Sequence, residues 1–320
     1  MRKVRWGVIG CGGIARTRTI PGMLLTENAQ LVSVMARDLA SAQAVQEQFG
    51  ADRAYDSAEQ MLENDELDAV YIATPVFTHS ELTRLAADHG KHVLCEKPLT
   101  LTRADAEELY AAADRRGLAL MEAMRPAHLP CLDRVRQAMV QVGPIRRADF
   151  IYCQYSSRYD KFKRGIVENA FDPSMGGGAL RDIGVYPLAW MELLFGAPAV
   201  VQAAGYTLPG SIDAVGSALA LYDGLTATAG WSKVHDGRNA ARLEGERGIV
   251  ELTPFPLPNR MTVAPRGGTP ETVPLETDAL DMRYELEDFI RLCAAPSNDP
   301  WRVHTLQVLT MMEQIRAQMQ

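Results

Sequence analysis

The sequence predicts an α/β protein in two parts: an N-terminal Rossmann domain on a parallel sheet, and a C-terminal α+β domain built on a mainly antiparallel sheet. Three observations predict it. From residue 4 to about 122, short β-type runs alternate with helical patterns, the signature of parallel strands covered by crossover helices. A glycine-rich turn follows the first of these runs directly. Beyond Pro130 the texture changes to Tyr- and Val-containing runs separated by turn signals, which suits an antiparallel sheet.

The elements follow in order. Val4 to Ile9 is the first strand, and Leu31 to Ala36 the second. A helix from about Leu39 to Phe49 stops at Gly50, and a small unit spans Ser57 to Asn64. Asp68 to Thr74 reads as a buried strand ended by Pro75, and His79 to His89 as a helix closed by Gly90. After the strand His92 to Cys95, Thr102 caps an alanine-rich helix that reaches Arg116 and stops at Gly117. Leu118 to Glu122 completes a dinucleotide-binding domain of residues 1–122. Residues 123–320 form the substrate-binding and oligomerisation domain, with strand runs at 148–152, 218–222 and 248–252. The proline- and glycine-rich stretch 254–274 reads as irregular loop and edge strand, and a last helix at about 303–318 is placed to pack back on the first domain.

Composition narrows the function. At 320 residues the chain suits about two domains, and its formal net charge of -7 disfavours nucleic acid or an anionic membrane as partner. No segment has the ~20 apolar residues of a membrane span. Five widely spaced cysteines give neither a disulfide framework nor paired zinc ligands, so a reducing cytoplasm is the expected setting. Met1-Arg2-Lys3 and the run after it imitate a signal peptide, but that run is short and already reads as the first strand. The histidines, including His89 and His92, lack a partner cluster, and no metal is predicted.

The turn Gly10-Cys11-Gly12-Gly13-Ile14-Ala15 fits G-x-G-x-x-G/A after a strand. Gly10 suits the tight turn, Gly12 leaves room for a pyrophosphate, and Ala15 permits close helix packing, with the helix N-terminus facing the phosphate charge. At the end of the second strand an acid would hold the ribose of NAD, whereas an arginine would take the extra phosphate of NADP. Here the strand ends Ala36-Arg37-Asp38, which favours NADP through Arg37. Asp38 keeps NAD possible if it reaches the ribose, and otherwise caps the next helix.

Four motifs, in order, are similar to those of the glucose-fructose oxidoreductase and inositol dehydrogenase (Gfo/Idh/MocA) family. They are the Gly10–Ala15 turn, Ala73-Thr74-Pro75 with His79, Glu96-Lys97-Pro98, and Gly176-Gly177-Gly178 running on to Asp182 and Tyr186. Tyrosine at 186 resembles the dimeric dihydrodiol dehydrogenase and D-xylose dehydrogenase branch. One departure is Met124-Arg125-Pro126, where family members often carry an aromatic-arginine pair. The resemblance implies an NAD(P)-dependent oxidoreductase acting on a hydroxyl or carbonyl carbon of a sugar, polyol or related small molecule, and a homodimer. Two other functions fit the same scaffold: a cofactor-binding sensor without turnover, and an NAD-dependent glycoside hydrolase.

The resemblance implies that Lys97 lies beside the nicotinamide, and that Asp182 and Tyr186 complete the reacting centre. Lys97 follows a strand, at the sheet edge where open α/β folds bind ligands. Asp182 and Tyr186, four apart, share a face if helical. Tyr186 would exchange the proton, an ammonium beside a phenol favouring the phenolate, while Asp182 would orient Lys97 or a substrate hydroxyl. Pro187 threatens a kink that turns Tyr186 away. Cofactor contacts are expected from Gly10, Gly12, Gly13, Ile14, Arg37, Ala73, Thr74, Pro75, His79, Glu96 and Lys97. Glu96 is read as positioning the nicotinamide ribose or carboxamide, or else as a turn acid. His79 is read as approaching the cofactor, or else as structural. The basic aromatic stretch from Tyr155 to Arg164 reads as a solvated loop.

Overall fold

A computed structural model describes residues 2–63 and 66–319, so the expected end of the small unit at Asn64 lies outside the described residues. The chain divides into two compact units, the first made of residues up to His128 together with Asp278–Leu306, the second of Leu129–Thr277 together with Gln307 onward.

In the first unit, six strands form one parallel sheet: β1 (Val4–Ile9), β2 (Ala29–Met35), β3 (Arg53–Tyr55), β4 (Ala69–Ile72), β5 (His92–Glu96) and β6 (Leu120–Ala123). Their order is β3-β2-β1-β4-β5-β6. Succession reverses between β1 and β4, and such a switch point opens a crevice at the carboxyl ends of the strands. β1, β4 and β5 are nearly continuous apolar runs because a covered parallel strand is buried on both faces. Local chemistry sets the helix ends: Asp38 and Thr102 cap Leu39–Phe49 and Arg103–Arg116, and Gly50 and Gly117 close them in the left-handed conformation.

The helix Met282–Ala294, which the sequence reading did not identify, covers this sheet. Met282, Leu286 and Phe289 join its core, with the Phe289 ring 5.1 Å from that of Trp6. On the same helix Glu285 is fully buried, and neither carboxyl oxygen has a hydrogen-bond partner among the described residues. Burial, reinforced by Glu96, pushes this carboxyl well above the usual carboxylate range. A raised folded-state pKa means that the native protein binds this proton more tightly, so the stability it carries is present below the ordinary value of ~4.3 and is lost as pH rises toward the folded value. Glu285→Gln is therefore expected to raise Tm by on the order of a few degrees at about pH 8 and to leave it little changed near pH 4. Calorimetry across that range checks this; a variant less stable at the alkaline end would contradict it.

The second unit holds an eight-stranded sheet: β7 (Ile145–Cys153), β8 (Val200–Leu208), β9 (Ile212–Tyr222), β10 (Leu225–Ser232), β11 (Ala240–Gly245), β12 (Gly248–Thr253), β13 (Arg260–Pro265) and β14 (Glu271–Pro274). The order is β14-β13-β12-β11-β7-β10-β9-β8, antiparallel throughout except for β7 beside β10. Within 254–274 the chain is more regular than its prolines suggest, for β13 and β14 pair and β14 is the edge. Alternation of buried and open residues along β9 and β12 marks one packed face.

Candidate active site

The glycine turn lies at the switch point of the first unit. Gly10 follows β1, donates its N–H to Met35 O at 2.9 Å and holds φ at +96°; a Cβ there would stand 2.7 Å from Ala73 O, just past β4. Backbone conformation and the neighbouring strand both demand glycine. Gly12 and Gly13 differ. Both are exposed, and a Cβ on either would meet nothing within 4 Å. No packing inside the protein calls for glycine there, which suits a cradle kept bare for a phosphate. Ile14 is half-buried behind the turn.

At the end of β2, Ala36 is buried and Arg37 exposed. The Asp38 carboxylate accepts from Ser41 N and Ser41 Oγ, both at 2.8 Å, and these bonds hold it below the usual carboxylate range. The acid therefore caps the following helix, the second of the two sequence expectations for it.

The Glu96-Lys97-Pro98 turn follows β5 and is held from three sides. Glu96 accepts the Tyr71 hydroxyl, which itself accepts from Thr19 at 3.0 Å, and also takes the Lys97 N–H at 3.2 Å. Glu122, buried in β6, accepts the Leu99 N–H at 2.8 Å and the Thr305 hydroxyl at 3.0 Å. His79 sets Nδ1 3.0 Å from Pro98 O and Nε2 2.9 Å from Thr74 O, tying the turn to Ala73-Thr74-Pro75. Burial pushes the His79 pKa down, against the upward pull of those carbonyls. Lys97 is half-buried. Sequence reading missed Tyr71 and Glu122; an acid inside the apolar run Leu120-Met121-Glu122-Ala123 was the available signal for the second.

In the second unit, Leu180–Gly184 forms a widened π turn that continues as the helix Val185–Phe195. Val185 N–H reaches back to Leu180 O, as Ile20 N–H does to Ala15 O in the turn after the glycine loop. Each widened turn precedes a proline, Pro187 or Pro21. A proline ring crowds the carbonyl four residues back, and an expanded turn makes room for it. Pro187 is thus accommodated without breaking the helix. Asp182 lies in the π turn and Tyr186 in the first turn of the helix, the Tyr186 ring edge-on to Tyr152 at 5.8 Å.

The glycines before this turn answer to protein atoms: Cβ atoms at Gly177 and Gly178 would lie 2.5 Å from Asn169 O and 2.0 Å from Asp213 Oδ1. Asp213 also accepts the Leu180 N–H, fixing the start of the turn. Asp182, 42% exposed, is ion-paired with Lys233, a residue that no motif singles out. The basic stretch is not all solvated loop: Tyr159–Lys163 is a short helix whose Tyr159 and Phe162 rings stack on Phe171 at 5.8 and 5.4 Å, while its charges lie at the surface, Lys161 paired with Glu168 at 2.7 Å and Lys163 with Asp160 at 2.8 Å.

Parallel strand order, switch-point glycine turn and following helix define a dinucleotide-binding α/β protein. The chain belongs to the GFO/IDH/MocA oxidoreductase family: the family's NAD-binding Rossmann-fold model matches residues 4–124, and the GFO/IDH/MocA C-terminal domain matches residues 137–251. It is similar to the scyllo-inositol 2-dehydrogenase (NADP(+)) IolU of Bacillus subtilis, at 35% identity over 99% of this chain and 97% of that one. It is 30% identical to the trans-1,2-dihydrobenzene-1,2-diol dehydrogenase of Mus musculus, over 81% of this chain and 78% of that one. Among solved structures, KijD10, a 3-ketoreductase from Actinomadura kijaniata in complex with NADP and TDP-benzene, superposes with a TM-score of 0.89 at 26% identity, covering 100% of this chain and 98% of that one. Family and relatives make this chain a nicotinamide-dependent oxidoreductase. No helix among the described residues is long and apolar enough to cross a membrane.

Proposed function

We propose that this chain is an NADP-preferring oxidoreductase for a hydroxyl or carbonyl carbon of a sugar, polyol or related small molecule. The observation that carries the reading is the bare glycine cradle at the switch point, where Gly12 and Gly13 face open space. Ile14, Ala73, Thr74 and Pro75 border the dinucleotide, and Arg37 takes the phosphate that distinguishes NADP. The commitment of Asp38 to Ser41 supports that preference, because the acid suited to an unphosphorylated ribose is already hydrogen-bonded elsewhere. The names of the Bacillus subtilis relative and of the KijD10 complex support it independently.

When bound, the nicotinamide supplies or accepts the hydride. Tyr186 exchanges the hydroxyl proton of the substrate, Lys97 lends positive charge where oxygen becomes anionic, and Asp182 accepts a hydrogen bond from the substrate. Glu96 and His79 hold the Lys97 turn in place. The chain acts in the cytoplasm as a homodimer, a state the family resemblance implies and the exposed apolar residues Val200, Tyr206, Leu219 and Leu221 of the second sheet support.

The test is a redox assay with NADP and NAD against inositols, aldoses, ketosugars and dihydrodiols, with inositols first because of the Bacillus subtilis relative. Turnover with one of these classes and faster reaction with NADP are expected. Cofactor binding without turnover would favour a sensor, and glycoside cleavage without net cofactor change a hydrolase. Arg37→Ala is expected to weaken NADP binding by about tenfold to a hundredfold, the worth of a charge-assisted hydrogen bond, and to spare NAD. An unchanged ratio of the two dissociation constants would remove Arg37 from the phosphate site.

A further inference from the structure

We propose that Lys233 is a positioning residue for the reaction: its buried ammonium holds the Asp182 carboxylate in one orientation at the substrate. This inference rests on the assignment of Asp182 to the reacting centre.

Lys233 follows β10, and its main chain is fixed on both sides, donating N–H to Ala214 O and accepting the Ser156 N–H, each at 2.9 Å. Its side chain is only 4% exposed. The ammonium meets Asp182 Oδ2 and stands 5.4 Å above the Phe171 ring. Removing an ammonium from water is costly, and here a carboxylate in direct contact and an aromatic face compensate it. Asp182 sits at the boundary of this arrangement, one oxygen against the buried charge and 42% of the side chain open to solvent. A surface ion pair between two flexible chains fixes little. Here the lysine cannot move away, because its backbone is pinned at two points and its stem is enclosed, so it is the carboxylate whose orientation is set.

An acid held this way is a preorganised acceptor for a hydroxyl hydrogen. It is anchored from below by Lys233 and from its own backbone by the π turn, whose first N–H is taken by Asp213. Without Lys233, Asp182 loses the contact that fixes its rotamer. The lysine need not touch the substrate for this effect.

Two measurements test this. In protein labelled with nitrogen-15 lysine, the Lys233 ammonium is expected to give a solvent-protected signal that Asp182→Asn abolishes while the rest of the spectrum persists; a signal indifferent to that change would overturn the pairing. In kinetics with the best substrate of the inositol and sugar panel, Lys233→Met is expected to lower kcat/KM for that substrate by about tenfold to a hundredfold with the NADP dissociation constant unchanged. Lys233→Arg should recover most of the loss, and in an Asp182→Asn background Lys233→Met should add nothing further. Full activity of Asp182→Asn would overturn the assignment of Asp182 itself. Loss in Asp182→Asn with full activity in Lys233→Met would overturn only the role of Lys233. Should Lys233→Met fail to fold, the lysine spectra of the unaltered chain and of Asp182→Asn, with the kinetics of Lys233→Arg, decide the matter.

Discussion

Lys97→Met and Tyr186→Phe are each expected to bind NADP as the unaltered chain does and to lose turnover by roughly a hundredfold to ten-thousandfold, the usual worth of a positioned acid–base group. Both changes are small in packing terms. The turn that carries Lys97 is held by Glu96, Glu122 and His79, none of which uses the lysine side chain for these bonds. Phenylalanine at 186 keeps the ring that meets Tyr152 edge-on. A loss confined to the chemical step is therefore the expected signature: kcat falls, the cofactor dissociation constant stays, and Tm stays. Single-turnover kinetics and titration of NADPH fluorescence read these separately. Unimpaired turnover in both variants would remove the mechanism proposed for the site.

The second large effect contrasts two glycines of one turn. Gly12→Val is expected to abolish dinucleotide binding without changing the stability of the cofactor-free protein, since its Cβ would enter space holding no protein atom within 4 Å. Gly10→Val should unfold at markedly lower temperature with or without cofactor, because φ is +96° and the new Cβ would collide with Ala73 O. Thermal melts with and without NADP distinguish them. A ligand at a hundred times its dissociation constant adds about 2.7 kcal/mol to native stability. The unaltered chain should show that upward shift and Gly12→Val should not. If Gly12→Val retains it, the turn is not the pyrophosphate cradle.

Much of the first sheet was legible because covered parallel strands must be almost wholly apolar, and β1, β2, β4, β5 and β6 all read that way. β3 was missed: Arg-Ala-Tyr is three residues at a sheet edge, where one partner strand suffices and no apolar run is required. Helix ends were legible for a related reason, since a cap bonds the backbone two or three residues away and leaves its mark in the same short window of sequence. The helix Met282–Ala294 escaped because its apolar residues sit among Arg283, Glu285, Glu287, Asp288 and Arg291. A run of three glycines suits either close approach of a ligand or a flexible connection. The structure gives a third reason for Gly177 and Gly178, close contact with Asn169 and Asp213.

The sequence by itself determined what local geometry determines: the glycine turn after β1, the caps, the strand alternation, and the four ordered motifs that mark the family. Only the tertiary structure decided which charges meet. Asp38 could have faced a ribose or a helix, and its bonds to Ser41 settled that. Glu285 reads as an ordinary helix acid until Trp6 and Phe289 are seen packed in the core its helix joins. Lys233, fifty-one residues from Asp182, becomes its partner through the register of β10 against β9 and β7. Such pairings depend on where distant segments come to rest, and a carboxylate or an ammonium carries no sign of its eventual partner in its neighbouring residues.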